Sequence, residues 1–304
     1  MLEPNATTRL SESKTMAELD RLPIGVCCTL ACQFEALAAK PGNVQRGVDF
    51  EDLSLADLLV CGAVLGPILE MSAERSVGET ILAGVRGSRK AVVCNANLGI
   101  VLLLAPLAKV PRECQLESGI RQVLAELTRE DADDVFTAIR EAQPGGLGKT
   151  AEADVATPPT MGLVDAMRLA AERDFIARQY ATDFSDVFGC VVPWLKQGVE
   201  RGESLSRNIV CVHLQMMSKF PDSLIQRKCG VKTAQESADR AADVLKAQQR
   251  SEIEYEQALA DFDFWLRVDG HRRNPGTTAD MMAAGLFVLL REGVIPTPFR
   301  FYES

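Results

Sequence analysis

The stretch Leu98-Gly99-Ile100-Val101-Leu102-Leu103-Leu104-Ala105-Pro106-Leu107 is apolar at almost every position. A half-exposed strand would alternate with polar residues; a segment apolar on all sides reads instead as a helix enclosed by others. It is therefore expected to be the central, buried helix of a helical core. The apolar run 98–110 is interrupted by Pro106 and falls short of the roughly 18 residues that a membrane span needs. Working outward, Pro23 suits a first helical position, and Ile24, Cys27, Leu30, Ala31, Phe34 and Leu37 follow with helical spacing. That helix runs out at Lys40, because Pro41 disfavours helical geometry in the residue before it. Ser54-Leu55-Ala56-Asp57 and Ser76-Val77-Gly78-Glu79 have the spacing of capping boxes and predict helices toward Leu69 and over 81–85.

Amphipathic surface helices are expected over 120–127 and 135–142, and helical periodicity returns at 161–180, 187–200, 208–217, 234–246, 261–268 and 277–291. Strict alternation is scarce. The fold class is thus all-α: a single large multi-helix domain over 21–304, with a central buried helix and functional loops at helix N-termini. A polar stretch, 1–20, reads as a flexible N-terminal tail.

Of the 304 residues, 47% are hydrophobic and 25% charged, an ordinary globular balance with no compositional break that would divide the chain. A net charge of −9 argues against nucleic acid or an anionic membrane as the main partner. It also requires any phosphate-rich ligand to find a local basic pocket or bring a divalent metal. The nine cysteines include no Cys-x-x-Cys pair and are odd in number, which suits reduced, mostly buried thiols. A cytoplasmic location, with no secretory signal and no transmembrane segment, is the expectation.

Two Pro-Gly loops stand out. Asn274-Pro275-Gly276-Thr277-Thr278-Ala279-Asp280 runs into the apolar segment 281–290, with Thr277 in an N-cap position and Asp280 in the first turn. Such a helix end directs unpaired N–H groups and partial positive charge outward, which suits phosphate. Lys40-Pro41-Gly42-Asn43-Val44 is a related loop near the other end, with Asp49 and Asp52 close behind.

Asn95-Ala96-Asn97-Leu98-Gly99 opens the central helix; capping explains one asparagine, and the second offers an amide to a ribose, base or phosphate. Arg173-Asp174 interrupts the 161–180 pattern among Arg168, Glu172 and Arg178, where a solvated charged face is the competing reading. Asp222 ahead of Arg227-Lys228 joins a metal-capable carboxylate to phosphate-binding cations, against the plain alternative of a basic surface turn.

Gly145-Gly146-Leu147-Gly148-Lys149-Thr150 imitates a nucleotide loop, yet Gln143 stands where its first glycine belongs and no strand precedes it. The irregular stretch 143–160 reads as an ordinary loop, either a linker or a segment near the active site. Of the two histidines, His213 reads as a satisfied core residue and His271, beside Arg272 and Arg273, as an aid to anion binding. Neither a histidine-rich metal cluster nor a Ser-His-Asp triad is supported. Carboxylates and amides are the available tools.

In their joint order, the motifs at 40–44 with Asp49, 95–99, Asp222 with Arg227-Lys228, and 274–280 resemble the triphosphoribosyl-dephospho-coenzyme A synthase family over about 23–292. The resemblance implies an all-helical pentosyltransferase whose partners are ATP and 3′-dephospho-coenzyme A. The acceptor's 2′-hydroxyl attacks the anomeric carbon of ATP's ribose, adenine leaves, and the triphosphate travels with the sugar. The product is the prosthetic-group precursor of citrate and malonate decarboxylase acyl carrier proteins. The chain departs at Asn95-Ala96-Asn97-Leu98-Gly99, where better-known members carry an Asn-Thr-His-Lys-Gly type sequence. Arg173-Asp174 is a partial counterpart of their Arg-Gly-Glu-Ala segment, so the chain resembles a divergent branch.

On this reading Lys40, Arg227 and Lys228 hold phosphates, Gly276 and Thr277 supply backbone donors, and Asn95 and Asn97 position ribose or base. Gly42, Asn43, Arg173, Asp174 and Asn274 complete the ATP site. Asp49, Asp52, Asp222 and Asp280 are the catalytic carboxylates, with Asp49 and Asp222 as ligands of a Mg²⁺ ion that offsets the negative charge. No nucleic acid or membrane partner is implied, and a homodimer is a possible assembly. Two alternatives stay open: ATP-dependent ribosyl or phosphoribosyl transfer to another acceptor, such as a one-carbon (pterin) cofactor precursor, and a noncatalytic nucleotide-binding helical protein.

Overall fold

In the computed structural model, which describes residues 21–94, 96–143 and 159–303, fourteen α-helices follow one another and no strand forms among the described residues. They are α1 (Ile24–Leu37), α2 (Leu55–Glu70), α3 (Val77–Ala91), α4 (Leu98–Lys109), α5 (Leu116–Ala125), α6 (Arg129–Ala142) and α7 (Leu163–Ala170), then α8 (Phe175–Ala181), α9 (Val192–Glu200), α10 (Leu205–Lys219), α11 (Ser223–Cys229), α12 (Val231–Gln248), α13 (Glu252–Arg267) and α14 (Gly276–Arg291). A 3₁₀ turn, Met71–Glu74, extends α2, and a π-helical turn, Val187–Val191, leads into α9.

The helix starts follow local chemistry. Ser54 and Asp57 form the reciprocal capping box that their spacing predicts, as do Ser76 and Glu79. A third box, Thr128 with Asp131, opens α6. α4 is the central helix: every residue from Ile100 to Ala108 is buried. α14 is its counterpart, buried from Met281 through Arg291, and it packs on both α1 and α4. Arg291, at the end of α14, donates from Nη2 to the carbonyls of Val110 (2.7 Å) and Pro111 (2.8 Å), covering the open end of α4.

Several expectations change. The 161–180 pattern is two helices, α7 and α8, because Asp174 turns its carboxylate onto the N–H groups of Ile176 and Ala177 and starts a new one. The 261–268 segment belongs to a helix that begins at Glu252, where Ser251 accepts from the Glu254 N–H. Thr277 is not a cap: α14 begins at Gly276, after Pro275, whose side chain has nothing to offer the helix end. His213 is fully buried, but neither ring nitrogen has a partner, so it is a core residue without being a satisfied one. Burial first, and nearby Lys40 second, push its pKa well below the usual histidine value. All nine cysteines are free. Leu55–Glu74, at 20 residues with mean hydropathy 1.6, is long and apolar enough to cross a membrane, which the sequence reading did not anticipate. In this fold it packs against α1 and α3 and buries Cys61, Leu65 and Leu69.

Candidate active site

The starts of α4, α8, α11 and α14 meet at one cavity of about 1390 Å³. What draws them together is a set of side chains that cap across helices. Asp222 caps α11 in the ordinary way, Oδ1 accepting from the N–H groups of Leu224 (2.8 Å) and Ile225 (3.1 Å). Its other oxygen, Oδ2, accepts from the N–H (2.7 Å) and hydroxyl (2.8 Å) of Thr278, and so caps α14 as well. Ser223 accepts from the Phe175 N–H at 3.2 Å and donates to the Thr277 hydroxyl at 3.1 Å, tying in α8. Asp174 completes the lattice: it caps α8 and accepts from Arg227 Nη1 at 2.7 Å.

With its caps supplied from elsewhere, the first turn of α14 presents Gly276, Thr277 and, one turn on, Asp280 to the cavity. α4 does the same with Asn97, Leu98 and Gly99. Asn97 sits at the cap position but makes no cap bond; its Nδ2 donates to Ser88 Oγ at 2.9 Å. At α4 the N–H groups of Leu98, Gly99 and Ile100 have no acceptor among the described residues, whereas at α14 only that of Thr277 is left, since Gly276 donates to the Asn274 carbonyl at 2.9 Å and Thr278 to Asp222. Arg173, Arg227, Lys228 and Arg272 add positive charge, and among the described residues neither Arg173 nor Lys228 is paired with a carboxylate. The same lining carries Glu51, Asp52, Asp57, Asp174 and Asp280, so these cations form a patch within a wall of mixed charge.

Asp280 receives no hydrogen bond from any described residue. Burial, then the negative charge of Glu35, Asp222 and Asp174, drives its pKa well above the usual carboxylate value. Its carboxyl lies against the backbone of Gly99, where a β-carbon would overlap it. Asp222 is also pushed up by burial, opposed by its four hydrogen bonds.

The residues singled out in the sequence divide here. Asp52, Asn97, Arg173 and Asp174 line the cavity, as do Arg227, Lys228, Asn274, Gly276, Thr277 and Asp280. Lys40 does not. It is fully buried, with Nζ 2.9 Å from Glu35 Oε1 and bonded to the carbonyls of Glu35 and Ala38, so it neutralises a core carboxylate rather than facing a phosphate. Gly42 and Asn43 form a frame behind the site. The Gly42 N–H, at a positive φ of 76°, donates to Asp263 Oδ1 at 2.7 Å, and Asn43 Nδ2 donates to Asn274 Oδ1 at 2.6 Å. Asp49 lies outside the lining and accepts from the Leu55 N–H at 2.8 Å. Asp222 lies behind the wall. Asn95 and the 145–150 loop fall outside the described residues.

The expected resident metal does not fit these side chains. Both oxygens of Asp222 are held by four N–H and O–H donors, which a cation would have to displace. Among the described residues, no three His, Cys, Asp or Glu side chains gather into a metal-binding set.

Sequence reasoning missed Gly99 as a site residue, along with Arg272 as a lining cation and the apolar wall that includes Phe136 and Met167. Gly99 did carry a signal: a glycine in the first turn of an otherwise apolar helix weakens it and so asks for a reason. His271, at φ 60°, stacks on Phe50 with ring centroids 4.0 Å apart and lines the cavity.

The CitG family, described as ATP:dephospho-CoA triphosphoribosyl transferase, matches residues 22–296. A crystal structure from Archaeoglobus fulgidus, of a protein provisionally assigned as a triphosphoribosyl-dephospho-CoA synthase, superposes with a TM-score of 0.61 at 26% identity, covering 77% of this chain and 99% of that one. None of the curated proteins matches.

Proposed function

Since the chain belongs to the CitG family of ATP:dephospho-CoA triphosphoribosyl transferases, we propose that its cavity binds ATP and 3′-dephospho-coenzyme A and moves the triphosphoribosyl group to the acceptor's 2′-hydroxyl. A new bond forms between that oxygen and the anomeric carbon of ATP's ribose. The bond from that carbon to adenine breaks, its electron pair leaving with the base. Positive charge develops on the sugar as the bond stretches, as in glycoside hydrolysis, and neighbouring carboxylates stabilise it.

The observation that carries this reading is Asp280: a carboxyl with no hydrogen-bond donor among the described residues, its protonated form favoured by burial and neighbouring negative charge, at a cavity also lined by four cations. A neutral acid there gives its proton to the departing purine nitrogen. Arg173, Arg227, Lys228 and Arg272, with the open end of α4 and the Thr277 N–H, hold the triphosphate. Glu51, a lining carboxylate, would meet a Mg²⁺ ion carried on those phosphates, and the ion would offset their charge. Asp52, which receives no hydrogen bond from the described residues, takes the acceptor's proton. Lys40, Asn43 and Asp222 act on the site only by holding its walls.

The test is incubation with ATP, Mg²⁺ and dephospho-coenzyme A while free adenine is measured. Adenine release that depends on dephospho-coenzyme A supports the reading. ATP binding without adenine release, whatever the acceptor, overturns it.

A further inference from the structure

The cavity wall is not uniform. Its cations come from α11 and the loop ahead of α14, with Arg173 and Asp174 just ahead of α8. In contrast, every lining residue from α6 and α7 is apolar, including Phe136, Ile139, Met167 and Ala170. Ala177 of α8 and Leu102 of α4 continue that surface, and the Tyr180 hydroxyl pins the two helices together by donating to the Leu102 carbonyl at 2.6 Å. α6 packs on α7, α7 on α8, and α8 on α4, so these residues form one continuous limb. Ala170 and Ala177 leave it room. Gln143, just past the end of α6, adds an amide, and among the described residues that amide is unpaired.

The polar and apolar ends are joined over a short distance. Along α4, Gly99 lies against Asp280, and Leu102 is the next lining residue, less than one turn of about 5.4 Å further in. That span suits a ribose. A group held by its phosphates at the cationic end, with its sugar at Asp280, therefore delivers what lies beyond the sugar into the apolar limb. At about 1390 Å³ the cavity also exceeds the roughly 300–1,000 Å³ of an ordinary small-molecule site, which leaves room for a second substrate.

We infer that the apolar limb lined by Leu102, Phe136, Met167 and Ala170 is the slot for the purine that leaves, with the Gln143 amide on its edge. The assignment rests on the proposed triphosphoribosyl transfer. It specifies which end of the donor faces which wall: the base toward α6 and α7, the phosphates toward α11. The acceptor then approaches from the remaining, open side of Asp280.

Binding of free adenine, inorganic tripolyphosphate and ATP to the unmodified full chain, measured by calorimetry, tests the slot without relying on a variant. Adenine and tripolyphosphate should each compete with ATP but not with one another, because they occupy different ends. Mutual exclusion of adenine and tripolyphosphate overturns the inference. Ala170→Leu fills the limb at a helical position where leucine is well tolerated. It should weaken adenine binding and raise the KM for ATP about tenfold while leaving tripolyphosphate affinity unchanged. An unchanged adenine affinity in a folded Ala170→Leu protein also overturns it. If the unmodified chain binds adenine in this way yet releases none from ATP, the proposed reaction fails and the slot stands.

Discussion

The carboxyl of Asp280 rests on the backbone of Gly99, and only the missing side chain at residue 99 allows it to. The contact joins the first turn of α4 to the start of α14, the two most deeply buried helices, so the acid is held by the core rather than by hydrogen bonds. Gly99→Ala should displace it. A shift of about 1 Å at a reacting group costs on the order of 100-fold in rate, and alanine is otherwise favourable in a helix. The expected result is a loss of about that size in kcat for adenine release, with circular dichroism unchanged. Retained activity would show that Asp280 does not need this seat.

Asp280 also makes a stability prediction with a definite sign. Its pKa is raised in the folded protein, above an ordinary value of 3.8, chiefly by burial. Below that value both states hold the proton and folding is unaffected. As pH rises through the window between 3.8 and the folded-state value, the unfolded chain ionises first, so folding loses stability. Asp280→Asn removes the penalty. It should raise Tm at pH 7, flatten this part of the pH dependence and abolish adenine release, the pattern expected where a site is strained for function. Thermal melts at several pH values, paired with the activity assay, check all three.

The α-helical fold was legible because its signals are local. Ser54 with Asp57 and Ser76 with Glu79 speak three residues ahead, and the apolar run of α4 announces its own burial. The roles of Asp222 and Lys40 were not legible for the opposite reason. Thr278, which Asp222 caps, lies 56 residues further on, so the sequence shows a free acid near two cations where the fold has a fully occupied cap. Lys40 beside Pro41-Gly42 resembles an exposed loop lysine; its partners Glu35 and Ala38 are near in sequence, but no local motif announces that it is fully buried with them. Gly276, Thr277 and Asp280 were recognisable as a group because a helix start gathers them within a few residues. The apolar limb draws on four helices and has no sequence motif.

Asp222 should behave as a structural residue. Asp222→Ala leaves the N–H groups of Leu224, Ile225 and Thr278 without their acceptor and should cost about 2–4 kcal/mol, the sum of two lost caps. Asp222→Asn keeps an oxygen for α11 but offers no acceptor to Thr278, so its cost should be smaller. Urea unfolding measures both. With substrate saturating and the protein folded, kcat for Asp222→Asn should fall far less than for Asp280→Asn; equal losses would return Asp222 to the chemistry.

Lys40 and Lys228 make opposite predictions, which separates the two lysines first assigned to phosphate. Lys40 is buried with Glu35 as its ion partner. Lys40→Met leaves that carboxylate uncompensated in the core, at a cost of about 3–5 kcal/mol. Adding Glu35→Gln removes the stranded charge and should recover much of the loss, a coupling that a double-mutant cycle in urea reports directly. Neither change should alter the KM for ATP at a temperature where the protein stays folded. Lys228 and Arg173, at the cavity wall and without an ion partner among the described residues, should do the reverse. Lys228→Ala and Arg173→Ala should leave unfolding within about 0.5 kcal/mol of the parent. Their KM for ATP should rise several-fold, with a weaker dependence on salt, because one charge opposite the phosphates is gone. A Lys40 variant that loses ATP binding while folded would put the phosphates at the 40–44 loop after all.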